Sequence, residues 1–403
     1  MTVVAILLCA LVLVSRADAQ HRLTETELLE AVARDGRVTA ILNEPVAVAR
    51  ADRGRAGLPP NMVVSFEREA PDGGSDQTTW SGSWAPPLDG RRGLAVRAAD
   101  AGFRAAEFDV EASRLEVRVE VRAAFAAWSI AFERAGSTAR LTTSVDRIVR
   151  QMEERASRGE ASGLAARRVA LAGAEFRAES ARAAAALERA RATVSGWLPD
   201  LPAGASPERP SLPPTPGTAP PAESLPSVEA RRLEIQAAEA SLHLRNRFWE
   251  TPVLTFGWQT IREAPGHLDG PVVGVSWPLP LFDRNQPERA LAEERLVAAR
   301  SRHELAVSRA SARLEGARAA YAQLRGTAES LRDVELLADQ AVTSATAMFE
   351  AGESDVTDLL ETLRGAISGF DASLDLFAQA LEAHRELELA AGRALPLTEG
   401  DSR

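Results

Sequence analysis

Cysteine and histidine, which commonly carry catalysis or bind metals, are few in this sequence, and the histidines lie far apart. The chain has 403 residues, with one cysteine and five histidines. The histidines lack the spacing of metal ligands: they are His21, His243, His267, His303 and His384. No glycine-rich phosphate loop follows a predicted strand. We therefore predict that the protein is not an enzyme, that it has no cofactor and no metal site, and that His303 and His384 lie on helix surfaces.

The composition favours long, closely packed helices over a bulky globular core. Hydrophobic residues make up 45% of the chain, but aromatic residues make up only 5%. Alanine, arginine, glutamate and leucine dominate, which is typical of helices in close contact. The formal net charge is -10. A net acidic chain is poorly suited to neutralise phosphates, so we exclude nucleic acid as a partner.

The N-terminus has the pattern of a secretory signal peptide. A short apolar run over residues 3–14 precedes Ala17-Asp18-Ala19, an A-x-A type of cleavage site. We predict a signal peptide over residues 1–19 and cleavage after Ala19. Cys9 follows Leu8, where a lipoprotein signal requires a small residue, so we expect no lipid anchor.

Short motifs recur once along the chain at a nearly constant distance. The offset is 193 or 194 residues for three pairs: Ser83–Asp89 with Ser276–Asp283, Arg68–Pro71 with Arg262–Pro265, and Gly159–Ser162 with Gly352–Asp355. Their common order predicts two tandem structural repeats, over residues 20–198 and 227–395. A proline-rich connector over residues 199–226 joins them and is expected to be extended and stiff.

Each repeat contains two segments in which apolar and small polar residues alternate. We predict strands at about 61–70, 77–88, 252–262 and 270–280. In the third, Leu254, Phe256 and Trp258 share one face. One apolar aromatic face and one polar face suit a strand between lipid and a wet lumen, although a half-buried hairpin in a soluble domain has the same alternation. Five tryptophans in or beside these segments favour the membrane.

Each repeat also contains a long proline-free stretch, over residues 91–158 and 288–351. Apolar residues recur there at steps of three and four, which is the seam of a coiled coil. We predict helical hairpins at about 91–196 and 284–392, each preceded by a shorter helix, at about 24–52 and 227–247. A plain soluble coiled coil would explain the seams but not the strands. Since four strands are too few to close a barrel, several chains would have to share one.

This architecture resembles the TolC-like outer membrane efflux proteins, especially their heavy-metal efflux branch. The most specific stretch is Gly274–Gln286, which is similar to the strand-to-helix junction of that family. Proline cannot donate to the sheet ladder, so Pro278 and Pro280 would end the strand. Asp283 and Asn285 could cap the following helix. The first-half copy is a weaker match, because Gly90-Arg91-Arg92 replaces the asparagine.

A second stretch, Phe349–Leu360, is similar to the family's turn at the periplasmic tip of its helical tunnel. The resemblance implies that Gly159, Glu160, Gly352 and Glu353 contact a periplasmic adaptor. It also implies that acidic residues beyond the second tip narrow the aperture, and the matching positions are Asp358 and Glu361. These two lie on one helix face, and a merely solvated acidic face is the alternative.

The resemblance implies a mainly α fold with a small β part. Two tandem repeats, each a long coiled-coil hairpin with a β-hairpin, would form an α-helical tunnel and a shared transmembrane β-barrel in a homotrimer. The protein would be a passive outer-membrane exit duct for substrates from an adaptor and a resistance-nodulation-division pump. Heavy-metal cations are one expected cargo. The alternatives are a periplasmic adaptor, which should carry one hairpin between split β-rich halves, and a structural coiled-coil protein of the cell envelope.

Overall fold

The computed structural model describes residues 22–72, 74–88, 90–216, 221–246, 251–263, 266–279, 281–282 and 284–395. The predicted signal peptide lies outside these residues. In the described part, none of the helices combines the length and the hydropathy needed to cross a membrane.

Eight α-helices, one short 3₁₀-helix at Ala222–Ser224 and six strands are present in the described residues. The helices are α1 Glu25–Arg34, α2 Gly36–Ala56, α3 Arg91–Ser157, α4 Gly163–Trp197, α5 Pro226–Arg245, α6 Gln286–Ser330, α7 Val334–Ala351 and α8 Val356–Ala391. The strands are β1 Arg22–Leu23, β2 Val63–Glu69, β3 Asp76–Trp84, β4 Ser206–Pro207, β5 Val253–Glu263 and β6 Gly266–Ser276.

The chain divides into two compact units, of which the first is helical. It comprises residues up to Ala40, Arg114–Ala219 and from Ala312 onward. Residues of both predicted seams are buried in it, including Val121, Trp128 and Tyr321. Here α4 packs against the C-terminal part of α3, and α8 packs against α7, with the apolar residues of both pairs in common clusters.

The second unit comprises Ile41–Ser113 and Pro220–Ser311 and contains a four-stranded sheet. The strand order is β2-β3-β5-β6, and every neighbouring pair is antiparallel. One cross-strand row consists of Phe66, Trp80, Trp258 and Pro271. Since alternate residues of a strand face opposite ways, these side chains share a face, as the alternation indicated.

The helix that was expected over residues 24–52 is interrupted at Asp35. Asp35 has extended backbone dihedral angles, and its carboxylate accepts a hydrogen bond of 2.8 Å from the backbone N–H of Arg37. The guanidinium of Arg37 also holds the pKa of Asp35 below its ordinary value. Because this carboxylate satisfies a free N–H group at the start of α2, it favours a helix start at this point.

The second long helix is likewise interrupted, between Ser330 and Val334. The backbone N–H of Arg332 donates to Glu329 and that of Val334 donates to Leu331. These bonds span three residues instead of four, so the last turn of α6 tightens before α7 begins.

The proline-rich connector contacts the helical unit in its first part. Its strand β4 pairs in parallel with β1, and both of its residues are buried. Further along, Arg209 lies 4.7 Å from the ring centre of Phe377 and 3.5 Å from a carboxylate oxygen of Glu133. The part of the connector around residues 206–209 is therefore docked on the helical unit.

Candidate functional site at the hairpin tips

The first tip joins α3 to α4 through a left-handed glycine. Gly159 has φ +77. The N–H of Gly159 donates to the carbonyl of Ala156, and the N–H of Glu160 donates to the carbonyl of Arg155. These two hydrogen bonds define a Schellman motif. Ser162 then caps α4 by accepting from the N–H of Ala165. Glycine is favoured here because a side chain makes a backbone with positive φ sterically strained.

The second tip repeats this geometry 193 residues later. Gly352 has φ +76, and the N–H groups of Gly352 and Glu353 donate to Phe349 and Met348. Asp355 then caps α8 by accepting from the N–H of Val356 at 2.7 Å. The motifs that suggested a sequence repeat therefore encode the same helix stop and helix start. Glu160 and Glu353 are both exposed at these turns.

An apolar cluster directly behind the tips includes residues from both hairpins. Its buried members include Met152 from α3, Val169 from α4, Phe349 from α7 and Leu359 from α8. The guanidinium of Arg155 lies 5.8 Å from the ring centre of Phe349. The two tips are thus held together by shared side-chain packing as well as by their turns.

Asp358 and Glu361 lie on the exposed side of α8, whereas Leu359, Leu360 and Leu363 of the same turns are buried. The two carboxylates therefore point away from the apolar cluster, on the side of α8 that is open in the single chain. Glycine at 365 and serine at 368 continue the exposed side along the helix.

Ion pairs join α8 to the first hairpin just beyond these carboxylates. Arg364 donates to Glu175 of α4 at 2.8 Å. Farther along, Arg134 of α3 donates to Asp371 at 3.0 Å and to Asp375 at 2.5 Å. Partial burial raises the pKa of Asp371, and the charge of Arg134 opposes that rise.

These pairs border an open groove between α4 and α8 with a volume of about 1020 Å³. Its lining combines apolar side chains, among them Leu171, Phe176 and Ile367, with charged ones. The groove runs along the face that carries Arg364, so it is continuous with the predicted aperture helix.

The predicted strand-to-helix junction is described in part. Pro278 lies two residues beyond Ser276, the last residue of β6, and is exposed. Asn285 has φ 66, and its side-chain amide donates to the carbonyl of Arg245 at the end of α5. Pro280 and Asp283 lie outside the described residues.

Comparisons with known proteins identify this architecture. None of the family models matches the chain. The chain is 28% identical over 331 residues to the cobalt-zinc-cadmium resistance protein CzcC of Cupriavidus metallidurans, covering 76% of this chain and 75% of that protein. The solved structure of CusC is similar over 92% of both chains, with a TM-score of 0.75 and 16% identity.

Two further solved structures have the same fold. The CmeC outer membrane channel of Campylobacter jejuni gives a TM-score of 0.75 at 15% identity, over 91% of this chain and 85% of that one. The open MtrE outer membrane channel of Neisseria gonorrhoeae gives 0.70 at 20% identity, over 93% and 90%. The chain therefore has the fold of these outer membrane channels. The predicted fold class is confirmed.

One polar cluster that the sequence patterns did not predict is buried in the helical unit. Arg122 of α3 forms ion pairs with Glu25 of α1 and with Glu388 of α8. The other oxygen of Glu388 accepts from the backbone N–H of Leu395 at 2.9 Å. Arg122 is 4% exposed and Glu388 is 0% exposed. The cluster therefore ties α1, α3, α8 and the segment after α8 together.

The prediction that His384 lies on a helix surface is wrong, because its side chain is fully buried. Neither ring nitrogen has a hydrogen-bond partner, and Nδ1 is 3.9 Å from a carboxylate oxygen of Glu388. Burial, reinforced by the charges of Arg122 and Arg385, lowers the pKa of His384 to about 3.

Tyr321 joins this cluster to the connector. Its ring centre lies 4.9 Å from that of His384 in an edge-on contact, and its hydroxyl donates to the carbonyl of Pro213. Burial raises the pKa of Tyr321. The sequence did carry a signal for the cluster, since His384 and Glu388 are four apart on the apolar face of α8, where polar residues require partners.

Proposed function

We propose that this protein is the outer-membrane channel subunit of a tripartite efflux system. The observation that carries the proposal is the pairing of two equivalent helical hairpins with a four-stranded sheet whose aromatic face is exposed. Phe66, Trp80, Phe256 and Trp258 are each more than half exposed in the single chain. Such a face is stable only when lipid or protein covers it.

Heavy-metal cations are the proposed cargo. The relative from Cupriavidus metallidurans is named for resistance to cobalt, zinc and cadmium. Among the described residues, no group of three or more histidine, cysteine and acidic side chains could hold a metal ion. The proposed channel acts as a passive duct, in which an adaptor and a resistance-nodulation-division pump deliver the cargo. A deletion strain should therefore lose metal resistance and regain it with the plasmid-borne gene.

The proposed assembly is a homotrimer. One chain supplies four strands, and three chains would supply about twelve, enough to surround an open lumen. We expect native mass spectrometry of the detergent-solubilised protein to give three times the mass of the mature chain. A stable monomer that retains the sheet would contradict this assembly.

The proposed adaptor contact is at the two tips. We expect valine at Gly159 or Gly352 to abolish metal resistance while leaving the trimer assembled. No atom lies within 4 Å of the position that a Cβ would take at either glycine. The cost to folding is therefore the backbone penalty of a positive φ, about 1–2 kcal/mol, and the added side chain projects from the turn.

Resistance should be measured at matched expression, with trimer content checked on native gels. Gly365→Ala is the matched control, because this glycine lies within α8, has space around it and lacks a positive φ. Normal resistance in both tip variants would contradict the adaptor assignment.

The proposed aperture is formed by Asp358 and Glu361. Three copies of each carboxylate around the axis would favour cations in a confined pore. We expect Asp358→Ala combined with Glu361→Ala to weaken cation selectivity in planar bilayers and to reduce block by multivalent cations. Glu386→Ala, an exposed change farther along the same helix, should leave both unchanged. If the double variant matches the unmodified channel, the two residues do not line the pore.

The ion pair between Arg364 and Glu175 supports a role in holding this aperture. It fastens the turn that follows Glu361 to the first hairpin. Both partners are more than half exposed, so the pair contributes little to stability and can break at low cost. Arg364→Gln should therefore raise open probability without unfolding the protein.

A periplasmic adaptor or a structural coiled-coil protein of the cell envelope is the alternative. Neither alternative explains why the aromatic face of the sheet is exposed. Extraction separates them from the channel: the channel should stay with outer membranes until detergent is added, whereas the alternatives should leave with salt or alkali.

A further inference from the structure

The apolar face of the sheet is short for a membrane protein. It consists of three cross-strand rows, the first of which is the aromatic row described above. The second row is Val64, Gly82, Phe256 and Val273, and the third row is Trp84, Leu254 and Val275. The next row on the same face is polar, with Arg68, Thr78, Thr260 and Asp269. The apolar face therefore stops abruptly at that end.

Strand geometry sets the height of these rows. Rows two residues apart are about 6.6 Å apart along the strand, or roughly 5 Å along the membrane normal at a tilt of about 40°. Three rows then span about 10 Å between their centres, whereas the apolar band of such proteins is about 25 Å tall. Most of the missing height cannot come from within the strands.

The band can be extended only toward the helices. At the other end of the sheet, Arg68 and Asp76 form an ion pair of 2.8 Å, and His267 lies 3.7 Å from Asp269. At the helix end, large apolar side chains continue past β6 and are open to solvent in the single chain. We call them the junction residues: Trp277, Leu279, Leu281 and Phe282 are 52%, 59%, 67% and 94% exposed.

The first repeat shows the same feature after β3. Leu88 is 77% exposed four residues beyond Trp84. Exposed arginines then follow in both repeats, Arg92 near the start of α3 and Arg284 just before α6. In the sequence one aspartate, Asp89 or Asp283, precedes these arginines, so in each repeat the apolar residues are followed by a charged segment that contains arginine. Apolar and aromatic side chains followed by such a segment match the order of acyl chains, interface and phosphates in a leaflet.

We propose that the junction residues and Leu88 are immersed in the periplasmic leaflet of the outer membrane, with Arg92 and Arg284 at the level of the lipid phosphates. The membrane boundary thus lies at the helix starts and not at the strand ends. This inference rests on the proposed outer-membrane function. The occupant of this surface is phospholipid, since the surface continues the apolar face of the sheet without a polar interruption in the described residues.

Spin labels on single cysteines test this proposal in the intact protein. The chain's single cysteine, Cys9, precedes the predicted cleavage site, so Phe282→Cys, Val273→Cys and His267→Cys can each be labelled uniquely in the mature protein. The protein is reconstituted in vesicles of phosphatidylethanolamine and phosphatidylglycerol. Collision with oxygen, which concentrates in hydrocarbon, is compared with collision with a water-soluble nickel chelate.

We expect the ratio of oxygen to nickel collisions at position 282 to match that at 273 and to exceed that at 267 by several-fold. A water-like ratio at 282 with a lipid-like ratio at 273 would overturn the inference and leave the proposed function intact. Low collision with both reagents at 282 would mean that a second copy covers it, which also overturns the inference. A water-like ratio at 273 would instead show that the proposed membrane function is wrong.

Discussion

Replacing Arg122 with methionine is expected to lower the free energy of unfolding by about 3–5 kcal/mol, the usual effect of removing one partner from a buried ion pair. Arg122 contacts two carboxylates, those of Glu25 and Glu388. Methionine fills the space of the arginine stem but leaves the fully buried carboxylate of Glu388 without its cation. Burial already raises the pKa of Glu388 although Arg122 opposes the rise, so without Arg122 the ionised form is still less stable.

Tryptophan fluorescence in denaturant, to which Trp128 buried in the same helical unit contributes, should report the unfolding of the protein. Arg140→Met is the matched control, because Arg140 forms an exposed ion pair of 3.5 Å with Glu335 and exposed pairs contribute at most about 1 kcal/mol. Adding Glu388→Gln to Arg122→Met removes the orphaned charge and should recover part of the loss. Equal effects of Arg122→Met and Arg140→Met would contradict this account of the cluster.

Features determined by neighbouring residues could be predicted from the sequence. The tips are an example: a glycine stops one helix, and three residues later Ser162 or Asp355 caps the next. The sheet faces are another, because alternation in a strand fixes which side chains share a face. Neither feature depends on which distant segment packs against it.

Features determined by distant partners could not be predicted in the same way. The periodicity of α8 places His384 on the apolar face, but the local sequence does not show which distant segment covers that face. His384 is buried because Tyr321, from another helix, covers it. Likewise, β4 is a strand only because β1, at the far end of the helical unit's sequence, supplies its hydrogen-bond partners.

The sequence did not predict the break between α6 and α7 for a different reason. Its residues Leu331, Arg332 and Asp333 include neither proline nor glycine, which are the usual sequence signals of a helix stop. Asp333 is the residue before α7, but its side chain makes no capping bond. The interruption consists of tightened backbone hydrogen bonds, which many sequences can adopt.

The buried histidine predicts a loss of stability in mild acid. In the unfolded chain, His384 has an ordinary pKa near 6.5, whereas burial lowers the pKa in the folded protein to about 3. Above pH 6.5 the imidazole is neutral in both states, and its full contribution to stability is present. As the pH falls toward 3, the unfolded state binds a proton that the folded state does not, and stability decreases by about 1.4 kcal/mol per pH unit.

We therefore expect His384→Leu to remove about 2 kcal/mol of acid destabilisation between pH 6.5 and about pH 5. The groups that face His384 are the charges of Arg122, Arg385 and Glu388 and the phenol of Tyr321. Glu388 acts in the opposite direction, because its raised pKa makes the folded state take up a proton as the pH falls. The difference between the two proteins isolates the contribution of the histidine, since Glu388 is present in both.

Unfolding in denaturant across this pH range measures the difference in stability, with His303→Leu as the control for a partly exposed histidine. Parallel pH profiles for the unmodified protein and His384→Leu would mean that the imidazole reaches solvent or a partner in the assembled channel, and that its proton uptake is not linked to folding.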